Sequence, residues 1–382
     1  MDFTGFGWIV FWVFAVGAAA AAFTWTRAMK KRSGRGPRLY MEGLRALVEG
    51  DDHVAFERLK ATINEDSDNI DAYIKLGDLL RRRGRLDSAT RIHEDLTLRL
   101  GLPPADVIAI QKSLALDHIA AGNVNEAESS LRKILELDKH SAWAHDQLVT
   151  VFLKAGKFEE AFEARRSGAR RANEKPGQAL ALYKTLAGHK LATEGKGHDA
   201  RLFYKEALNH DEDCLPAMLY IGDAYQQDGR LDDAVEWWTR FANANPKTAY
   251  IVFDRLERGY FELGQYGGIT RFYERILDAD PANTDALIAL ADLSVKKGDH
   301  DEAVRQCRQA LDNDPDNIPA RAGLIRSFVQ HKDLKQASVE IDAMLESAHF
   351  HPTGYVCTQC GHTEPEPAWY CPKCKAVGSF GV

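Results

Sequence analysis

Residues 215–248 read LPAMLYIGDAYQQDGRLDDAVEWWTRFANANPKT, and this stretch decides the architecture. Gly229 falls where a first helix must end, because the turn there needs a left-handed backbone that a side chain opposes. Ala234 follows five residues later, small where a second helix crosses its neighbours closely. Trp238 and Phe241 fill the apolar stripe between the helices, and Pro246 stops the second one. The segment reads as one pair of antiparallel helices.

The same setting recurs along the chain. Gly50 with Ala55 is the first pair, then Gly84 with Ala89, Gly122 with Ala127, Gly156 with Ala161, Gly195 with Ala200, and Gly229 with Ala234. Gly264 with Ile269, Gly298 with Ala303, and Lys332 with Ala337 continue it. Successive second members lie 34, 38, 34, 39, 34, 35, 34 and 34 residues apart. A 34-residue period is that of the tetratricopeptide repeat. The prediction is an all-α fold, a tetratricopeptide-repeat superhelix of about nine repeats over residues 39–348. The two long spacings predict small insertions near Leu100–Pro104 and Asn173–Gln178. Such a stack offers a concave surface, made largely by first helices, that binds helices or extended segments of other proteins. A groove built for area is a poor place for catalysis, and no nucleophile or general-base motif stands out. The chain reads as not an enzyme.

Phe6 to Trp25 carry no charge, and about twenty apolar residues in a helix cross a bilayer. Arg27, Lys30, Lys31, Arg32, Arg35 and Arg38 follow at once. The positive-inside rule places the N-terminus outside and the rest in the cytoplasm. A cleaved signal peptide would carry its basic residues ahead of the apolar run. Residues 1–26 are therefore expected to be a transmembrane anchor and 27–38 a basic juxtamembrane linker.

The tail holds four of the six cysteines. Cys357 and Cys360 form one CxxC, and Cys371 and Cys374 form a second. Two such turns can place four thiolates on one tetrahedral metal ion. Gly361 follows the first pair, where a left-handed residue is favoured, and Lys375 takes that place less comfortably in the second. Residues 353–382 are expected to form a metal-binding knuckle domain with one metal ion, zinc being favoured over iron. His362 is expected to be solvated or outside the ligand set, and Trp369 and Tyr370 to pack the knuckle onto the last repeats.

Other signals carry less. The 49 basic and 56 acidic residues give a net charge of -7, which argues against nucleic acid as a partner. Gly195 to Ala200 match a GxGxxA dinucleotide pattern by letters, but at a helix–helix turn rather than after a strand. Cys307 stands at the position of Trp238 and reads as core, and Cys214 lies at a repeat junction. Arg81, Arg82, Arg83 and Arg85 form a basic patch that reads either as a solvated helix end or as a contact for a partner or anionic lipid.

The anchor, the nine repeats and the four-cysteine tail together resemble the lipopolysaccharide assembly protein B family. The most specific matches are LGDLLRRRGRLDSATRIHEDL from Leu76, and YVCTQCGH and WYCPKC in the tail, which looks like a rubredoxin-type knuckle. His362 stands where the family has an aromatic residue, and no Trp follows Cys374 closely. The resemblance implies an adaptor of the bacterial inner membrane that regulates lipopolysaccharide synthesis. It would be single-pass, with a periplasmic N-terminus and its repeats and metal domain in the cytoplasm. The implied partners are the membrane protease FtsH, the lipid A-pathway deacetylase brought to it for degradation, and other inner-membrane lipopolysaccharide proteins. Cys357, Cys360, Cys371 and Cys374 match the family's metal ligands. The residues alone also fit a general membrane scaffold for another envelope complex, or an iron-containing electron carrier. They leave self-association into a homo-oligomer open.

Overall fold

The computed structural model describes residues 35–347, 354–366 and 368–380. The expected anchor, and most of the expected linker, lie outside those residues. Among the described residues no helix is long and apolar enough to cross a membrane. Arg35–Arg38, assigned above to the linker, are helical instead. Pro37 fits there because a first helical turn makes no use of its missing N–H.

The described chain forms helix pairs in sequence order. They are α1 (Arg35–Glu49) with α2 (Asp52–Glu65), α3 (Ile70–Arg82) with α4 (Leu86–Thr97), and α5 (Pro104–Ala121) with α6 (Val124–Leu137). Then come α7 (Ala142–Lys154) with α8 (Phe158–Ala172), α9 (Gly177–Thr193) with α10 (Gly197–His210), and α11 (Leu215–Gln227) with α12 (Leu231–Ala244). The last three pairs are α13 (Phe253–Glu262) with α14 (Tyr266–Ala279), α15 (Thr284–Lys297) with α16 (His300–Asn313), and α17 (Ile318–Gln330) with α18 (Leu334–Ser347). Two compact units divide between Val151 and Phe152, inside α7.

The recurring pairs do what the spacing requires. Gly84, at φ +75°, closes the turn between α3 and α4, and Lys332 takes the same left-handed conformation at φ +62° in the last pair. Ala55, Ala89, Ala127, Ala161, Ala200, Ala234 and Ala303 are all completely buried. Several first helices start on a side-chain cap. Asn69, Asn283 and Asn317 accept the backbone N–H of Ala72, Ala286 and Ala320 at 2.9–3.0 Å.

The long spacings are taken up mostly in the first helices that follow them. The extra residues do not form a bulging loop: α5 has 18 residues and α9 has 17, against 13 in α3 and α11. Each insertion adds about one helical turn. In the seventh repeat a 3-10 segment, Pro246–Val252, precedes a first helix of only 10 residues. Asn245 caps it by accepting the N–H of Lys247.

In the first unit, Leu59, Ala72 and Leu76 form one buried cluster, and Ile74, Leu96, Ile110 and Leu114 another. In the second unit a larger core holds Tyr204, Trp238, Phe241, Phe272 and Tyr273.

Candidate metal centre and the cleft beside it

The tail builds two matching turns. Strands β1 (Tyr355–Val356) and β2 (Thr363–Glu364) pair antiparallel, and the first CxxC lies in the connection between them. The Gly361 N–H donates to the Cys357 carbonyl at 2.9 Å, and the Lys375 N–H donates to the Cys371 carbonyl at 2.9 Å. Gly361 and Lys375 are both left-handed, at φ +69° and +63°. The two turns thus have the same local geometry although Gly361 follows the first CxxC and Lys375 the second.

That geometry gathers all four sulfurs within 4.8 Å of one another. Cys357 Sγ lies 3.6 Å from Cys374 Sγ, and Cys360 Sγ lies 3.7 Å from Cys371 Sγ. A tetrahedral ion with metal–sulfur bonds of about 2.3 Å has sulfur–sulfur edges of about 3.8 Å. The separations therefore suit one thiolate-bound ion, and none of the four cysteines is disulfide-bonded. Cys357 and Cys371 are buried, and Cys360 and Cys374 half-buried. The Ser379 hydroxyl, 3.1 Å from Cys357 Sγ, holds that thiol down to about 6. At Cys374 the Ala376 amide works in the same direction, but burial and the three other sulfurs push the thiol up to about 12. Four thiolates so close together need a cation to neutralise them.

The knuckle seats on the middle repeats and not on the last ones. Trp369 meets Tyr220 of α11 edge to face at 5.9 Å, and Tyr370 meets Phe158 of α8 at 5.4 Å. The Tyr370 hydroxyl donates to the Leu153 carbonyl at 3.3 Å. Arg255 of α13 reaches Glu366 at 3.4 Å. The expectation of the last repeats followed chain proximity. The rings instead go where Phe158, Leu186 and Tyr220 offer apolar surface. A cleft of about 690 Å³ remains beside this seat, lined from the repeats by Tyr220, Asp223 and Arg255 and from the knuckle by Glu366 and Trp369.

Sequence reasoning missed Asp223 and Arg255. Asp223 accepts from Trp238 Nε1 at 3.0 Å and from Arg255 at 2.9 and 3.3 Å. Burial pushes its carboxyl up, against the pull of Arg255. The signal was present: Gly77-Asp78 and Gly222-Asp223 occupy the same place in their repeats, and Asp78 likewise pairs with Arg81 at 2.8 Å.

The remaining candidates fall into structural roles. Arg81 also pairs with buried Asp117, which His93 contacts at 2.5 Å, and Arg82 and Arg83 both face Asp52. The basic patch is thus largely neutralised by its own neighbours. Gly195 turns between two helices, without the strand a dinucleotide site needs. Cys307 is fully buried in the core, and Cys214 is buried beside Thr185. His362 hydrogen-bonds to Glu364 at 2.8 Å, outside the sulfur cluster.

Comparison with known proteins agrees with both parts. The model of the tetratricopeptide repeat family matches residues 260–306 and 294–353, and that of the rubredoxin metal binding domain matches 355–381. Lipopolysaccharide assembly protein B of Escherichia coli K12 is 22% identical over 94% of this chain and 94% of its own. The protein of that name from Haemophilus influenzae is 24% identical over 81% of this chain and 78% of its own. Among solved structures, MamA is similar at 22% identity and a TM-score of 0.33, over 42% of this chain and 93% of that one.

Proposed function

The chain belongs to the lipopolysaccharide assembly protein B family, and on that premise we propose that it is an inner-membrane adaptor regulating lipopolysaccharide synthesis. It is a non-enzymatic repeat scaffold with a metal-binding domain. The observation that carries the reading is a match running through 94% of both chains.

In this reading residues 1–26 anchor the scaffold in the membrane plane, with residues 27–38 on the cytoplasmic side. Confinement to the plane raises its effective concentration near an embedded partner. The repeats bind the lipid A-pathway deacetylase and bring it to FtsH, the membrane protease. Cys357, Cys360, Cys371 and Cys374 are the ligands of one zinc ion. Bound zinc neutralises the thiolates and supplies the folding free energy of a segment too short for its own core. Crosslinking in native membranes tests the assignment. The adaptor requires a membrane protease and a lipid A enzyme among the products. Products from a different envelope complex alone would overturn it.

A further inference from the structure

The cleft beside the knuckle has walls of two origins. The edge-to-face pair of Tyr220 and Trp369 joins a ring of the repeats to a ring of the segment between the two CxxC pairs. Its volume of about 690 Å³ lies in the range that holds a small ligand or a few residues of a peptide.

The charges along this wall are not evenly matched. Asp223 engages Arg255 through two contacts and already neutralises it. Glu366 touches the same guanidinium only at 3.4 Å, and its side chain is 73% exposed. Glu364 is held by His362, and Lys190 donates to the Gly156 carbonyl. His189, stacked on Tyr220 at 4.5 Å, is lowered by burial and stays neutral at pH 7. Glu366 is thus a weakly held carboxylate beside the half-buried rings of Tyr220 and Trp369. A guanidinium or ammonium group gains there from the carboxylate and from the rings together.

We propose that this cleft docks an apolar segment of the client protein that carries a basic side chain, received by Glu366 and the Trp369–Tyr220 pair. The proposal rests on the adaptor reading and gives the client segment its chemistry. The site is composite: Glu366 and Trp369 come from the knuckle and Tyr220 from the repeats, so it exists only while the knuckle is seated.

The test is calorimetric titration of the full-length, metal-loaded chain with three blocked hexapeptides. They share one leucine–alanine sequence and carry arginine, glutamine or glutamate at one central position. The arginine peptide should bind about tenfold tighter than the glutamate peptide, the worth of one partly desolvated ion pair. Glu366→Gln, a change at an exposed side chain, should bring the arginine peptide down to the level of the glutamine peptide. Trp369→Leu should weaken all three. Absence of binding, equal binding, or an arginine preference surviving Glu366→Gln would overturn the proposal. If it fails while the chain still shortens the deacetylase's life in cells, only the cleft assignment falls. If the deacetylase is unaffected, the adaptor reading falls whatever the peptides do.

Discussion

A methyl group placed on Gly222 would lie 2.4 Å from Trp238 Nε1, inside any allowed contact. The same relation joins Gly77 to His93 and Gly188 to Tyr204, each glycine facing a bulky side chain sixteen residues later. Gly222→Ala should therefore cost about 1–3 kcal/mol, the usual price of overpacking, seen as a lower urea midpoint by circular dichroism. These first-helix glycines were not legible in advance, because nothing beside them in the chain demands their smallness. The turn glycines were legible, because a left-handed backbone restricts the residue itself. Lys332, which holds that conformation at φ +62°, gives the converse test. Lys332→Gly should raise stability by about 1 kcal/mol, detectable as a higher thermal midpoint. His189 gives a pH dependence. Burial lowers its folded pKa below 6.5, so the neutral ring stabilises the fold above pH 6.5, and that contribution is lost as pH falls through the folded value. Acidification should destabilise the wild type more steeply than His189→Gln, in denaturant titrations run from pH 7 to 5.

Among elements, the proposed metal would hold the knuckle together, while the helix pairs have cores of their own. The knuckle's own buried apolar cluster is small, with Phe380 and the cysteines at its centre. Cys371→Ser should abolish metal binding and unfold residues 354–380 while the helical circular dichroism persists. Full metal content in that variant would contradict the four-sulfur site. The gathering of the four sulfurs could be read from two CxxC pairs because each turn is local. The seat of the knuckle could not be read, since Trp369 and Tyr370 show only that some apolar surface must receive them. That surface turned out to be built by Phe158, Leu186 and Tyr220, far from the tail in sequence. Tyr370→Phe should loosen the seat by about 1 kcal/mol through the lost bond to the Leu153 carbonyl. Faster proteolysis of the tail, with the repeats intact, would report it.

For the whole molecule, the repeat period settled the architecture, since eight intervals near 34 residues leave little room for another fold. The extra turns in α5 and α9 were not visible, because a longer spacing does not say whether its residues join a loop or a helix. The proposed function rests on the match to lipopolysaccharide assembly protein B of Escherichia coli, which runs through 94% of both chains. The measurement that bears most directly on it is the half-life of the lipid A-pathway deacetylase in cells, after synthesis is blocked, with this chain depleted and then restored. Depletion should lengthen the half-life several-fold, and restoring the chain should return it to rapid turnover. An unchanged half-life in depleted cells would contradict the adaptor function.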